Sequence, residues 1–332
     1  MQEILRKVTD KENLTYEEAR EAMSKIMSGE VSDVILASYL TALKLKGETA
    51  DEIFGSAMAM RDKALKLNGS DSLDIVGTGG DGYNTFNVSS ISALVAAGCG
   101  IKVAKHGNKS VSSKCGSADV FEALGVKIDI PPEKMQEVYD KIGIAFLFAP
   151  VYHTSMKYAA KVRKELGFRS IFNILGPLCN PASSKYTLLG VYDRALQKPV
   201  IQALANLGLE SAIVVHGENG LDEVNPAGTT YICELKDGDI ISYTLTPKDF
   251  GFEPCGINDI IGGDVETNKE IALRVLKGEK GPCRDTVIIN SALAIKTVLA
   301  KPIKECVKMA EESIDSGKAM QKLEELIRET NK

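Results

Sequence analysis

Two short glycine-bearing stretches hold the residues with the most chemistry in this chain. The first is Gly77-Thr78-Gly79-Gly80-Asp81-Gly82, directly after an apolar run over 73–76. The second is Lys105-His106-Gly107-Asn108, after a second apolar run over 101–104. Glycines let backbone N–H groups approach phosphate oxygens closely, and hydroxyls at Ser89, Ser90, Ser112, Ser113 and Ser117 add donors. Lys105, Lys109 and Lys114 bring positive charge to the second stretch. This combination suits a polyphosphate. Asp81 is the odd member, because a carboxylate beside phosphate is repelled unless it binds a hydroxyl, an amide or a metal. A ribose phosphate offers it hydroxyls. The glycine burst alone would serve an ordinary strand-to-helix turn equally well, and the basic second loop is what favours phosphate.

Two further groups could do chemistry. Asp222-Glu223 follows Gly217-Glu218-Asn219-Gly220. Adjacent carboxylates repel each other unless a cation or bulk water relieves them. Oxygen ligands of this kind suit Mg²⁺, which takes a carboxylate or two and completes its shell from substrate phosphates. A solvated acidic turn is the alternative for the pair in isolation, and phosphate loops at the same sheet edge reverse that preference. Arg163 could clamp a planar carboxylate through two parallel hydrogen bonds, or it could be a surface arginine.

The elements around these residues follow from periodicity. The runs over 73–76 and 101–104 have strand length and are closed by glycine and polar residues. Residues 89–97 predict a helix, with serines at its start and Gly98 and Gly100 at its end. The order strand, glycine loop, helix, strand, basic loop sends both loops off one edge of a parallel sheet, where α/β proteins bind ligands. Gly77-x-Gly79-x-x-Gly82 matches the letters of the dinucleotide fingerprint. That fingerprint starts its helix inside the glycines and places an acid about 20 residues on. Here residues 83–88 intervene, and the next strand leads into Lys105. No Walker loop is present.

The ordered set of motifs resembles the anthranilate phosphoribosyltransferase family. It comprises Gly77-Thr78-Gly79-Gly80-Asp81, Thr85-Phe86-Asn87-Val88-Ser89, Lys105-His106-Gly107-Asn108, Ser112-Ser113 and Gly116-Ser117-Ala118-Asp119. It continues through Val162-Arg163-Lys164-Glu165-Leu166-Gly167, Phe172-Asn173-Ile174-Leu175-Gly176-Pro177-Leu178 and Gly220-Leu221-Asp222-Glu223, and so spans essentially the whole chain. The resemblance implies transfer of a 5-phosphoribosyl group from phosphoribosyl pyrophosphate to the amine of anthranilate, in tryptophan biosynthesis. It implies a donor site at Gly77, Gly79, Gly80, Asp81, Thr85, Asn87, Ser89, Ser90, Lys105, His106, Gly107, Asn108, Lys109, Ser112, Ser113 and Ser117. The acceptor site it implies is Gly77, Asn108, His153, Arg163, Gly176 and Pro177, with Mg²⁺ on Ser89, Asp222 and Glu223. His106 and Arg163 are the candidates for a direct part in catalysis. Two departures stand out: Lys109-Ser110 replaces the family's Arg-Ala, and Ser90 stands where threonine is usual. Lysine keeps a point charge on phosphate but loses the bidentate fork. Cys115 lies beside Lys114, a cation that could lower its pKa, although a packed thiol is the plainer reading.

Length and composition frame these sites. A chain of 332 residues is too long for one compact core, and two lobes are the natural division. Residues 1–67, with part of 164–183, predict a small helical lobe, opened by the capping boxes Thr15-x-x-Glu18 and Thr49-x-x-Glu52. Residues 70–163 and 184–332 predict an α/β lobe with a mostly parallel central sheet and flanking helices. Within it we expect strands over 126–130, 145–149, 186–192 and 212–216, a hairpin over 229–245, and helices over 131–142, 153–166 and 199–207. The segment 168–181, with its glycine and two prolines, reads as a crossing between lobes. A net charge of −5 argues against a nucleic-acid partner. No apolar run reaches membrane-spanning length, and residues 1–6 lack a signal peptide's basic region and apolar core, so a cytoplasmic protein is expected. The seven cysteines lack zinc or redox spacing and read as reduced thiols. The amphipathic N-terminal helices suit a homodimer, which the resemblance also implies. A pyrimidine nucleoside phosphorylase shares the architecture but needs no magnesium pair. A non-catalytic nucleic-acid-binding relative conflicts with the acidic charge.

Overall fold

The computed structural model describes residues 1–80, 82–110 and 114–332. Four helices come first: α1 (Gln2–Thr9), α2 (Tyr16–Met27), α3 (Asp33–Lys46) and α4 (Ala50–Lys63). Both expected capping boxes form, at Thr15 and Thr49. Ser32 caps α3, and Gly47 closes it at a φ of 87° that a side chain would strain.

The strands are β1 (Leu73–Gly77), β2 (Val103–Gly107), β3 (Ile144–Phe148), β4 (Tyr186–Gly190), β5 (Ser211–Gly217), β6 (Thr230–Lys236) and β7 (Asp239–Leu245). The other helices are α5 (Val88–Gly98), α6 (Ser117–Ala123), α7 (Pro132–Ile142), α8 (Ala149–Tyr152), α9 (Lys157–Leu166), α10 (Ile171–Leu178), α11 (Gln197–Asn206), α12 (Pro247–Phe250), α13 (Val265–Leu276), α14 (Pro282–Leu299), α15 (Ile303–Asp315) and α16 (Lys318–Thr330).

One sheet runs in the order β3-β2-β1-β4-β5-β6-β7. The pairs from β3 through β5 are parallel, and β5–β6 and β6–β7 are antiparallel. The predicted hairpin is β6–β7, turned by Asp237 and Gly238, both with positive φ. Alternate strand residues separate two cores. Leu188, Ile213 and Ile232 pack with α5, α14 and α16 on one face. Leu189, Val214 and Cys233 pack on the other with the N-terminal helices, together with Ala159 and Val162 of α9 and Phe172 and Leu175 of α10. The helical lobe therefore shares one core with α9, α10, α11 and this face of the sheet. Among the described residues no single helix is long and apolar enough to cross a membrane. Among the described residues no disulfide links the cysteines.

Four local expectations need correction. Residues 126–130 alternate apolar and polar but form no strand. The Val126 N–H bonds the end of α6 at Phe121 and the Lys127 N–H bonds the Thr330 hydroxyl, so no ladder partner is available. The helix expected over 153–166 is broken: α8 ends at Tyr152, His153 leaves helical geometry (φ −112°, ψ 59°), and α9 begins at Lys157. The crossing over 168–181 contains a regular helix, α10, which Ser170 opens with a capping box and which carries Pro177 inside. Finally β2 runs on through Lys105 and His106, so both are buried strand residues and not loop residues.

Candidate active site at the carboxyl edge of the sheet

The strand order reverses between β1 and β4, and at such a switch point the carboxyl ends of the strands open a crevice. β1, β2, β4 and β5 each end in glycine. At two of these ends the reason is close approach. A Cβ on Gly77 would lie 2.5 Å from Asp222 Oδ2, and one on Gly190 would run into the Asp222 carbonyl oxygen. The segment carrying Asp222 thus lies directly on the ends of β1 and β4. Asn290 of α14 fixes it from behind, accepting the Val224 N–H at 2.9 Å.

Asp222 is buried and its Oδ2 accepts the Gly79 N–H at 2.6 Å, which ties the glycine loop to the acidic pair. The solvated acidic turn is thereby ruled out for Asp222, while Glu223 remains partly exposed. Lys105 is 1% exposed, and its Nζ donates to the Ile75 carbonyl at 2.6 Å and to Ser89 Oγ at 3.2 Å. Burial lowers its pKa, and the negative charges of Asp74 and Glu223 resist that. Ser89 sits in the first turn of α5, whose N-terminal dipole adds positive potential at this point. Glycine loop, Ser89, Lys105 and Glu223 therefore converge on one place.

The rest of the predicted donor set is distributed around it. Thr85 bridges Ile261, and Phe86 N–H donates to the Ile260 carbonyl at 3.0 Å, so the tail of the glycine loop is strapped to residues 260–262. Asn87 Oδ1 and Ser90 Oγ are buried without a hydrogen-bond partner among the described residues. Gly107 ends β2, and the Asn108 carbonyl accepts the Ala118 N–H beside Ser117 at the start of α6. Lys109 is turned away onto Glu122 at 2.8 Å. Asp81, Ser112 and Ser113 lie outside the described residues. Burial pushes the Cys115 thiol up to about 11, so Lys114 does not activate it.

Next to this region lies a less charged one. The rings of His106 and His153 are 5.0 Å apart and both are buried. His106 Nδ1 faces the Gly176 carbonyl at 3.2 Å. A carbonyl only accepts, so Nδ1 carries the proton and Nε2 keeps a lone pair. Nε2 of both rings has no partner among the described residues. Burial, together with the neighbouring His153, holds His106 well below the usual imidazole range, and burial takes His153 down to about 4. Both are neutral at pH 7. Arg163, on α9, is half-buried with its guanidinium carbon 5.1 Å from the centre of the Phe172 ring. Burial lowers its pKa, and no carboxylate pairs with it among the described residues. Pro177 is buried beside Gly176 in α10.

Asp74 was missed at the sequence level. It is 1% exposed inside β1, accepts the His106 N–H at 3.2 Å and the Asn180 amide at 2.7 Å, and so locks β1, β2 and the end of α10 together. Burial pushes its carboxyl up to about 6, with the Lys105 charge pulling back. An acid inside an apolar strand was the available signal. Arg169 and Tyr192, which flank the glycine loop, were also missed. A cavity of about 190 Å³ near Asp259, Arg274, Lys280 and Arg284 touches none of these groups.

Residues 69–320 match a family model described as the glycosyl transferase family a/b domain, and residues 2–64 match the helical bundle domain of the same family. The anthranilate phosphoribosyltransferase of Endomicrobium trichonymphae is 50% identical over 330 residues, covering 99% of this chain and 98% of that protein. The chain belongs to the anthranilate phosphoribosyltransferase family. The enzyme of that name from Methanobrevibacter smithii is likewise 50% identical, over 100% of this chain and 99% of its own length. Among solved structures, anthranilate phosphoribosyltransferase from Thermus thermophilus superposes with a TM-score of 0.94 at 43% identity, over 99% of both chains. The Saccharomyces cerevisiae enzyme in complex with PRPP and Mg gives 0.88 at 31% identity, over 96% of this chain and 94% of that one. The expected fold class, a mostly parallel sheet with a smaller helical bundle, holds, and the protein is a phosphoribosyl-transferring enzyme.

Proposed function

We propose that the carboxyl edge of the sheet transfers the 5-phosphoribosyl group of phosphoribosyl pyrophosphate to the amine of anthranilate, releasing N-(5-phosphoribosyl)anthranilate and pyrophosphate. The observation that carries this reading is the buried Lys105 on Ser89, set beside the Asp222–Gly79 bond and next to two neutral imidazoles. The first group suits a diphosphate and the second a flat aromatic acid.

The residues around Ser89, Asp222 and Glu223 present oxygen ligands only, and no cluster of three or more His, Cys, Asp or Glu side chains exists among the described residues. That set fits a hard divalent ion which takes its remaining ligands from phosphate, and the yeast relative was solved with PRPP and Mg. Ser89, Asp222 and Glu223 would hold Mg²⁺, which when bound supplies positive charge to the departing pyrophosphate. Lys105 and the loop amides add preorganised charge and donors at the same place. Burial keeps Lys105 from being screened by water.

The acceptor needs less chemistry. An aromatic amine is already neutral at pH 7, so no strong general base is required. Arg163 would take the carboxylate, Asn108 and the neutral His106 and His153 would orient the ring and amine, and Gly176 and Pro177 would form the wall. Orientation is then the main contribution on this side. We take residues 1–67, with part of 164–183, as the helical domain and 70–163 with 184–332 as the α/β domain. The core shared by α9 and the N-terminal helices supports carrying that boundary back over α9. Val34 and Leu45 of α3 are 74% and 77% exposed, which supports a homodimer through the helical domain. The negative net charge supports small-molecule partners over nucleic acid. Incubation with anthranilate, phosphoribosyl pyrophosphate and Mg²⁺, following loss of anthranilate fluorescence, tests the activity. No loss of fluorescence at saturating substrates would reject it.

A further inference from the structure

Arg169 lies on the connection between α9 and α10 and belongs to none of the motifs above. Its guanidinium carbon stands 4.2 Å from the centre of the Tyr192 ring, just beyond β4. It also meets the glycine loop: a Cβ on Gly80 would lie 2.7 Å from Arg169 Nε and 3.0 Å from Cζ and Nη2. The guanidinium is thus close to both an aromatic face and bare loop backbone. Thr78 Oγ1 accepts the Tyr192 N–H at 3.1 Å, so loop, ring and arginine form one connected unit.

The arginine is only partly exposed, yet among the described residues no carboxylate pairs with it and its side chain makes no hydrogen bond. Two other arginines that are largely withdrawn from water do have polar partners, whereas Arg163 has none among the described residues. Arg61 donates to the Leu178 carbonyl and Arg284 to Asp315. Stacking on tyrosine steadies a guanidinium plane but leaves its N–H edge unsatisfied. A flat cation with a free donor edge, held against a loop of phosphate-binding type, is suited to an oxyanion. The loop contact is to Gly80, on the donor side of the crevice, and not to His153 or Pro177.

We propose that Arg169 is a positioning residue for the phosphoribosyl donor. Its N–H edge takes an oxygen of the donor's diphosphate at the glycine loop. Because it sits on the α9–α10 connection, this contact also settles Arg163 and Gly176 against the acceptor. The inference rests on the donor site proposed above.

The test uses the full chain, with Arg169→Gln, Arg169→Lys and Tyr192→Leu. Titration calorimetry would measure phosphoribosyl pyrophosphate with Mg²⁺, pyrophosphate with Mg²⁺, and anthranilate with and without the donor. Arg169→Gln should weaken donor and pyrophosphate about 10- to 100-fold, the range of a lost charge-assisted bond. Anthranilate alone should bind as before, but any gain in its affinity caused by the donor should vanish. Arg169→Lys should recover part of the donor affinity, and Tyr192→Leu should lose less than Arg169→Gln. Lower thermal stability with donor and pyrophosphate affinities unchanged would make Arg169 merely structural and overturn the proposal. Loss of anthranilate with the donor spared would overturn it too. Failure of the donor site itself would show differently, as absent donor binding in the unaltered protein.

Discussion

The two halves of the crevice are built on opposite plans. The proposed donor half is made from strand ends and the tight turns that leave them, with charge placed inside: Lys105 at 1% exposure, Asp222 on a loop amide, and Asp74 beneath. The proposed acceptor half is made from α9, α10 and the broken segment at His153. Its polar groups include two neutral imidazoles and one arginine that has no carboxylate partner among the described residues. Developing negative charge on a leaving pyrophosphate requires fixed, desolvated charge, and parallel strands hold it most rigidly. A neutral amine requires only placement, which helices shared with the N-terminal lobe can supply while remaining free to shift. In the proposed division, chemistry sits on the sheet and orientation sits on α9, α10 and the His153 segment.

The largest break in this division should come from Lys105→Met, which keeps the apolar stem and removes the charge. We expect kcat/KM for the donor to fall about 10²- to 10³-fold, the cost of losing one preorganised stabilising donor, with anthranilate binding nearly unchanged. Steady-state kinetics with each substrate varied would check this. An unchanged donor kcat/KM would place the leaving group elsewhere.

Metal dependence comes next. Removing both Asp222 and Glu223 would confuse two effects, because Asp222 also anchors Gly79. Glu223→Gln is the cleaner change, since its side chain is partly exposed and the loop anchor stays. The Mg²⁺ concentration for half-maximal rate should rise at least about tenfold, with thermal stability held within about 0.5 kcal/mol. An unshifted Mg²⁺ dependence would leave Glu223 as an ordinary turn residue.

Smaller effects sharpen the acceptor side. His153 has a folded pKa of about 4, below the ordinary 6.5, so the unfolded chain binds the proton first as the pH falls. Its contribution to stability is complete above about pH 6.5 and is lost progressively down to about pH 4. Asp74 acts in the opposite sense over an overlapping range, because its folded pKa is raised. The measurement is therefore the difference in unfolding free energy between the unaltered protein and His153→Gln. It should shrink by up to about 3 kcal/mol on going from pH 7 to pH 4. A difference that is flat with pH would mean that His153 is not held neutral. The least effect on chemistry should come from Val34→Asp with Leu45→Asp on α3. Light scattering should show a monomer, and a retained dimer would move the interface off this face.

Much of this arrangement was legible in the residues themselves. The glycine burst, the α5 helix and the hairpin have strong local signals, and Thr15 and Thr49 mark their helices by caps that form as expected. Periodicity misled where tertiary contacts decide. Residues 126–130 alternate because they lie over a core, but their backbone bonds go to α6 and Thr330. Pro177 suggested irregular chain, yet α10 carries it in its last turn, at the cost of the one helical bond its missing N–H would have made. The motifs identified Lys105 and Asp222 but could not tell that both are buried, since burial depends on strands far apart in the chain. Asp74 and Arg169 carry no motif, and only the packing of β1, β4 and the α9–α10 connection makes them neighbours of the site.

The division into a donor half and an acceptor half stands or falls on a crossed binding experiment. Titration of anthranilate and of phosphoribosyl pyrophosphate with Mg²⁺ into Arg163→Ala and Lys105→Met gives four isotherms. Arg163→Ala should lose about 30- to 5,000-fold in anthranilate affinity, as expected for removing one member of a buried charge pair, and keep the donor. Lys105→Met should show the reverse. Donor binding weakened by Arg163→Ala with anthranilate spared would contradict the account.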